Sequence, residues 1–142
     1  MLTLFLATVV FQVNVERLQG DWLMIERHYP NGSVRVYPKG EQTIDHFNIY
    51  IQGDKATVHH DWTDPDDTID ATFSFVGSNG IVFTVTGSTI GGVKKGEMWE
   101  SLYKFDGDTL VICEAGLGGK RPTEFKAAEG VYLYKFKKAK KP

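Results

Sequence analysis

From Gly20 to Lys138 the chain runs as short stretches of alternating apolar and polar residues, each cut off by a cluster of turn formers. "GDWLMIERHY" stops at Pro30-Asn31-Gly32, and "SVRVY" stops at Pro38. "TIDHFNIYI" ends at Gly53-Asp54, "ATVHHDW" at Asp64-Pro65-Asp66-Asp67, and "TIDATFSFV" at Gly77-Ser78-Asn79-Gly80. "IVFTVTG" runs into "GSTIGG", after which come "EMWESLYKF", "TLVICEA", a glycine-rich loop and "GVYLYKFKK". Period-two alternation puts every second side chain on one face of a strand, so each stretch predicts a half-buried β-strand. Convincing helical periodicity is absent. Asp106-Gly107 between two apolar stretches is a strong hairpin signal, because glycine accepts the positive φ that such a turn needs. Strands spaced roughly ten residues apart predict an all-β, closed or nearly closed antiparallel barrel.

Composition narrows this further. A chain of 142 residues, 42% hydrophobic and 24% charged, suits one globular domain. The net charge of −2 provides no field to gather nucleic acid, and the basic ending "KFKKAKKP" reads as a solvated tail. Cys113 is the only cysteine and sits in an apolar strand, so it reads as a core residue. Residues 1–16 stand apart from the barrel expected over 17–142. The apolar run from Leu4 to Phe11 has the length of a signal-peptide core, but it lacks a basic start and an Ala-x-Ala site. It is too short for a transmembrane segment. Two alternatives stay open for it. As the remnant of an export signal it implies a periplasmic or extracellular protein. As a retained β segment, favoured by Thr8, Val9, Val10, Val13 and Val15, it pairs with the sheet or with a second copy in a homodimer, and a cytoplasmic location follows.

Two stretches carry a resemblance. "LQGDW", Leu18 to Trp22, is similar to the Gly-x-Trp opening of lipocalins, in which the tryptophan plugs one end of the barrel. Together with "LYKFDGDTLVICEAGLGGKRPTEF" and the final basic strand, the chain resembles an uncharacterised family of small bacterial lipocalin-like domains that run from LQGxW to DGDTL-x-IC and GGxRPxEF. The resemblance implies an eight-stranded antiparallel up-and-down barrel of the calycin kind. It implies no chemistry, since one fold hosts many functions. In lipocalins a cation packs over the tryptophan, a place that Arg17, Lys135 or Lys137 would take here.

Four places are candidates for function. The loop "GLGGKRP" invites a phosphate-cradle reading, but no Ser or Thr follows Gly119-Lys120 and no helix begins there. It reads as a connection in which Gly116, Gly118 and Gly119 take positive φ, or as a rim loop whose Lys120 and Arg121 meet an acidic head group. In "HHDWTDPDDTID", His59 and His60 fall on opposite faces of a strand, which argues against a shared zinc. Asp64, Asp66 and Asp67 form an acidic turn or a calcium site without EF-hand spacing. Lastly, alternation directs Trp99, Ser101, Tyr103 and Phe105 to the interior, with Glu97 in phase, and along the first strand Trp22, Met24, Glu26 and His28. Met24, Glu26, His28, Trp99, Ser101 and Tyr103 are therefore the candidate ligand-binding residues.

The function that follows is binding of a small lipophilic molecule inside the barrel. Its alternatives are a hydrolase of apolar esters or lactones, calcium-assisted, with His28 or His59 as base and Ser101 as a candidate nucleophile, and an interaction module using the N-terminal segment. The first two require a cavity of roughly 300 Å³.

Overall fold

The computed structural model describes residues 14–37, 47–60 and 67–139. The apolar run Leu4 to Phe11 lies outside them, as do Asp64, Asp66 and Trp62. Among the described residues nine strands are present, β1 (Gly20–His28), β2 (Val34–Val36), β3 (Phe47–Gln52), β4 (Lys55–His60), β5 (Thr68–Val76), β6 (Gly80–Ser88), β7 (Met98–Asp106), β8 (Thr109–Glu114) and β9 (Tyr132–Lys138). Apart from β2 each strand pairs antiparallel with its neighbours in chain order, and β9 closes back on β1 from Trp22↔Lys138 to His28↔Leu133. The result is a closed eight-stranded up-and-down barrel of lipocalin-like form. The ninth strand, β2, adds to the outside of this count. It pairs with β1 at Glu26–His28, beyond Gly20–Leu23 where β3 pairs.

Among the described residues two apolar clusters result. The larger fills the barrel and takes alternate residues of every wall strand, among them Trp22, Met24, Ile51, Phe83, Tyr103, Leu110 and Phe136. The smaller lies outside β7, β8 and β9, where Leu102, Val111, Cys113 and Leu133 are covered by Phe125 and Val131. This explains why "LVIC" is apolar without interruption, since β8 is buried on both faces. It also gives the glycine-rich loop its role. Residues 115–131 fold back over the outer cluster, Gly118 N–H donates to the Met98 carbonyl at 2.9 Å, and the Cys113 thiol faces the carbonyls of Glu124 and Lys126. The loop is thus a connection that covers apolar surface. Gly116 and Gly118 take positive φ, but Gly119 does not. Gly119 is instead needed for close approach, because a Cβ there would stand 2.7 Å from the Ala115 Cβ and 2.8 Å from its carbonyl oxygen.

One end of the barrel is plugged. Trp22, 2% exposed, donates its indole N–H to the Leu18 carbonyl at 2.7 Å from a helical turn formed by residues 14–18. That turn includes Val15, which corrects the extended conformation expected of it. Gln19 ties the same end to the β3–β4 turn, accepting from Gly53 N–H at 2.6 Å and donating to its carbonyl at 3.0 Å. The cation over Trp22 is Lys138, its Nζ 5.3 Å from the ring, and not Arg17, Lys135 or Lys137. Strand parity is the reason: Lys138 lies directly opposite Trp22 and shares the inward face of Tyr134 and Phe136, whereas Lys135 and Lys137 point outward. Arg17 stacks on Phe105 at 3.9 Å and caps the β7–β8 turn through the Gly107 carbonyl.

Candidate functional site

The half of the barrel away from Trp22 holds a cavity of about 220 Å³. Its wall is largely apolar, with Phe47, Ile49, Val58, Phe83, Trp99 and Phe136 prominent, and Trp99 lies flat on Phe83 at 4.8 Å. Gly116 and Leu117 of the covering loop reach its edge. The volume falls below the roughly 300 Å³ of typical ligand pockets, yet exceeds the roughly 150 Å³ that accommodates a benzene ring. The cavity is therefore of single-ring or short-chain size.

Among the described residues one cationic and one carboxylic side chain line it, Arg27 from β1 and Glu114 from β8. Neither belongs to the candidates drawn from alternation, and a β-bulge is the cause for Arg27. Between Met24 and Glu26 the β1–β9 register slips, so that Met24 faces Phe136 but Glu26 faces Lys135. Ile25 is the extra residue, and its carbonyl accepts from the Tyr37 N–H at 2.9 Å. An odd residue inverts the phase of all that follows. Trp22 and Met24 point inward as expected. Glu26 and His28, also expected inside, point outward, and Arg27 replaces them in the interior.

Outside the wall, His28 Nε2 and Glu26 Oε1 lie 2.6 Å apart, and Lys135 Nζ stands 3.8 Å from the same oxygen. Inside, the Arg27 guanidinium packs against three tyrosine rings, Tyr29 and Tyr132 at 5.0 Å and Tyr134 at 5.4 Å from the centroids. Cation–π attraction of this kind strengthens as the cation loses water.

Glu114 is placed by simple alternation, in phase with Leu110 and Ile112. Across the β7–β8 ladder it pairs with Ser101, which is fully buried and donates its hydroxyl to Glu114 Oε2 at 3.2 Å. Burial pushes the Glu114 carboxyl up to about 7, against the Ser101 hydrogen bond and the Arg27 charge, both of which favour the carboxylate. Burial likewise raises the Tyr134 phenol, and the charge of Glu114 adds to the effect.

The remaining candidates are dispersed. Met24 and Tyr103 belong to the core on the plugged side, where burial raises the Tyr103 phenol while an Asn14 hydrogen bond lowers it. Trp99 is the one candidate that lines the cavity, and Ser101 reaches it through Glu114. Glu97 does not join them; its carboxylate accepts from Lys94 N–H at 2.7 Å within the loop before β7. His59 lies on β4 opposite Asn48 and out of phase with the cavity residue Val58, so it faces outward. Neither His28 nor His59 shares a face with Ser101, and the pairing expected of a hydrolase does not form. Arg121 lies against Gly80, where an added Cβ would meet its guanidinium at 2.7 Å, and Lys120 is exposed. Neither lines the cavity. Among the described residues no three His, Cys, Asp or Glu side chains are grouped to hold a metal ion; of the acidic turn only Asp67 is described, and it is half-buried. No described helix is long and apolar enough to cross a membrane.

Comparison of the chain with models of known protein families, with curated proteins and with solved structures finds no match.

Proposed function

We propose that this protein binds a small lipophilic molecule in the unplugged half of its barrel. The observation that carries the reading is the cavity itself, about 220 Å³ walled by aromatic and aliphatic side chains with polar groups at only a few points. A concave, mostly apolar space with few convergent polar groups is the usual form of a small-molecule site. Its size restricts the ligand to one ring or a short chain.

The test is direct. Titrating the protein with benzamide and with hexanamide should shift the methyl resonances of Ile49, Ile69 and Ile112, which all line the cavity. Val58→Phe should abolish those shifts by filling the space while leaving a cooperative melt. Shifts confined to the outer surface, or none with either probe, would overturn the reading.

A further inference from the structure

Apolar walls account for a lipophilic ligand but not for the guanidinium and the carboxyl set among them. Arg27 is the one cation that lines the cavity among the described residues, and Glu114 the one carboxylate. The guanidinium carbon stands 5.0 to 5.4 Å from three tyrosine ring centroids, and the group's five N–H donors form the planar fork that suits a carboxylate. A cation in such a low-dielectric space favours an anion over any neutral partner. Glu114 supplies a negative charge only while it is ionised. Facing it are Ser101 from β7, Tyr132 and Tyr134 from β9 and Arg27 from β1, while Tyr37, from the segment after β2, acts on Tyr134. Of these only Arg27 carries a charge.

We propose that the cavity takes a small apolar monocarboxylate, that the ligand's carboxylate lies on Arg27, and that Glu114 takes up one proton as it binds. The proposal rests on the binding reading above and names the class of ligand. Two carboxylates facing one guanidinium repel each other, and protonation of the resident one removes the repulsion. It also turns Glu114 from an acceptor into a donor, with its new O–H available to the ligand or to Ser101. The balance is one anion and one proton in, so the charge within the cavity is unchanged. Free Glu114 is poised for this near neutrality, since burial has already brought its carboxyl to about 7.

The experiment compares each acid with its amide, benzoate with benzamide and hexanoate with hexanamide, following the methyl resonances of Ile49, Ile69 and Ile112 in the full chain. Between about pH 8 and about pH 6 the affinity for the carboxylates should rise by up to about tenfold, the factor expected for a site with pKa near 7 that must be protonated. The amides should show no such dependence. Calorimetry of benzoate binding in two buffers of different ionisation enthalpy should report uptake of a proton approaching one per ligand at the higher pH. Glu114→Gln should keep carboxylate binding and lose its pH dependence, and Arg27→Met should bring carboxylates down to the level of amides. If the amides bind and the carboxylates bind no better, or bind without pH dependence and proton uptake, this inference falls and the binding reading stands. If neither acids nor amides move the cavity methyls, both fall.

Discussion

At the scale of single residues, Glu114 makes stability depend on pH. Its carboxyl is raised in the fold, from about 4.5 to about 7, so between those values the folded protein holds more protons than the unfolded chain. Its contribution is therefore full at low pH and is lost as pH rises through 7, with up to about 3 kcal/mol at stake by linkage. Glu114→Gln keeps the shape and an acceptor for Ser101 without the charge. Denaturant melts should show it more stable than the parent at about pH 8 and similar at about pH 4.5; equal differences at both would show that burial of the charge is not the cause. Gly119→Ala should cost about 1–3 kcal/mol by overpacking against Ala115, read in the same melts. Some of this was legible beforehand. Trp22, Met24, Trp99 and Ser101 face inward as their alternation says. Glu114 was hidden because β8 is apolar on both faces, which leaves no contrast from which to read a phase. Arg27 was hidden because nothing in "LMIERH" marks Ile25 as the residue that the ladder leaves over.

At the scale of elements, turn chemistry and strand spacing located every wall strand described here, with Gly107 at positive φ in the β7–β8 hairpin. "SVRVY" reads as a strand and is β2, but its place outside the count of the wall was not legible, and the bulge in β1 escaped because it arises from a partner distant in sequence. A bulge is held by what the opposite strand offers, here Lys135 next to Phe136, and by the Tyr37 N–H that takes up the Ile25 carbonyl. Deleting Ile25 tests its weight. The strand would then alternate without interruption in the same phase, Met24 and Arg27 inward and Glu26 and His28 outward, losing the bond of the Ile25 carbonyl to the Tyr37 N–H, a cost of about 0.5–1.5 kcal/mol. Denaturant melts should show a loss of about that size, and a loss well above about 3 kcal/mol, the cost of breaking a buried charge pair, would mean that the facing of Arg27 was not kept. The helical turn at 14–18 was missed for a different reason. A single turn is too short for periodicity to register, and its place is set by the carbonyl that Leu18 offers to Trp22.

For the molecule as a whole, closure of β9 on β1 joins the eight described wall strands into one ring, and the plug completes one end. Trp22→Ala removes the indole, its bond to Leu18 and the surface under Lys138, and should destabilise by about 3–5 kcal/mol, seen as a lower midpoint in denaturant at unchanged cooperativity. An unchanged midpoint would mean that the turn at 14–18 seals the end unaided. The lipocalin-like architecture was legible because it rests on the count and spacing of strands and on the Gly-x-Trp opening, which are local. The cavity was not, because its volume depends on how far side chains from eight strands fill the space between them. A vessel stopped at the bottom has only its neck for traffic. Whatever enters the half away from Trp22 must leave from that same half, so two molecules cannot pass through in succession and a second must wait until the first has gone. Such a shape is suited to holding a molecule and giving it up, and unsuited to conducting one from end to end.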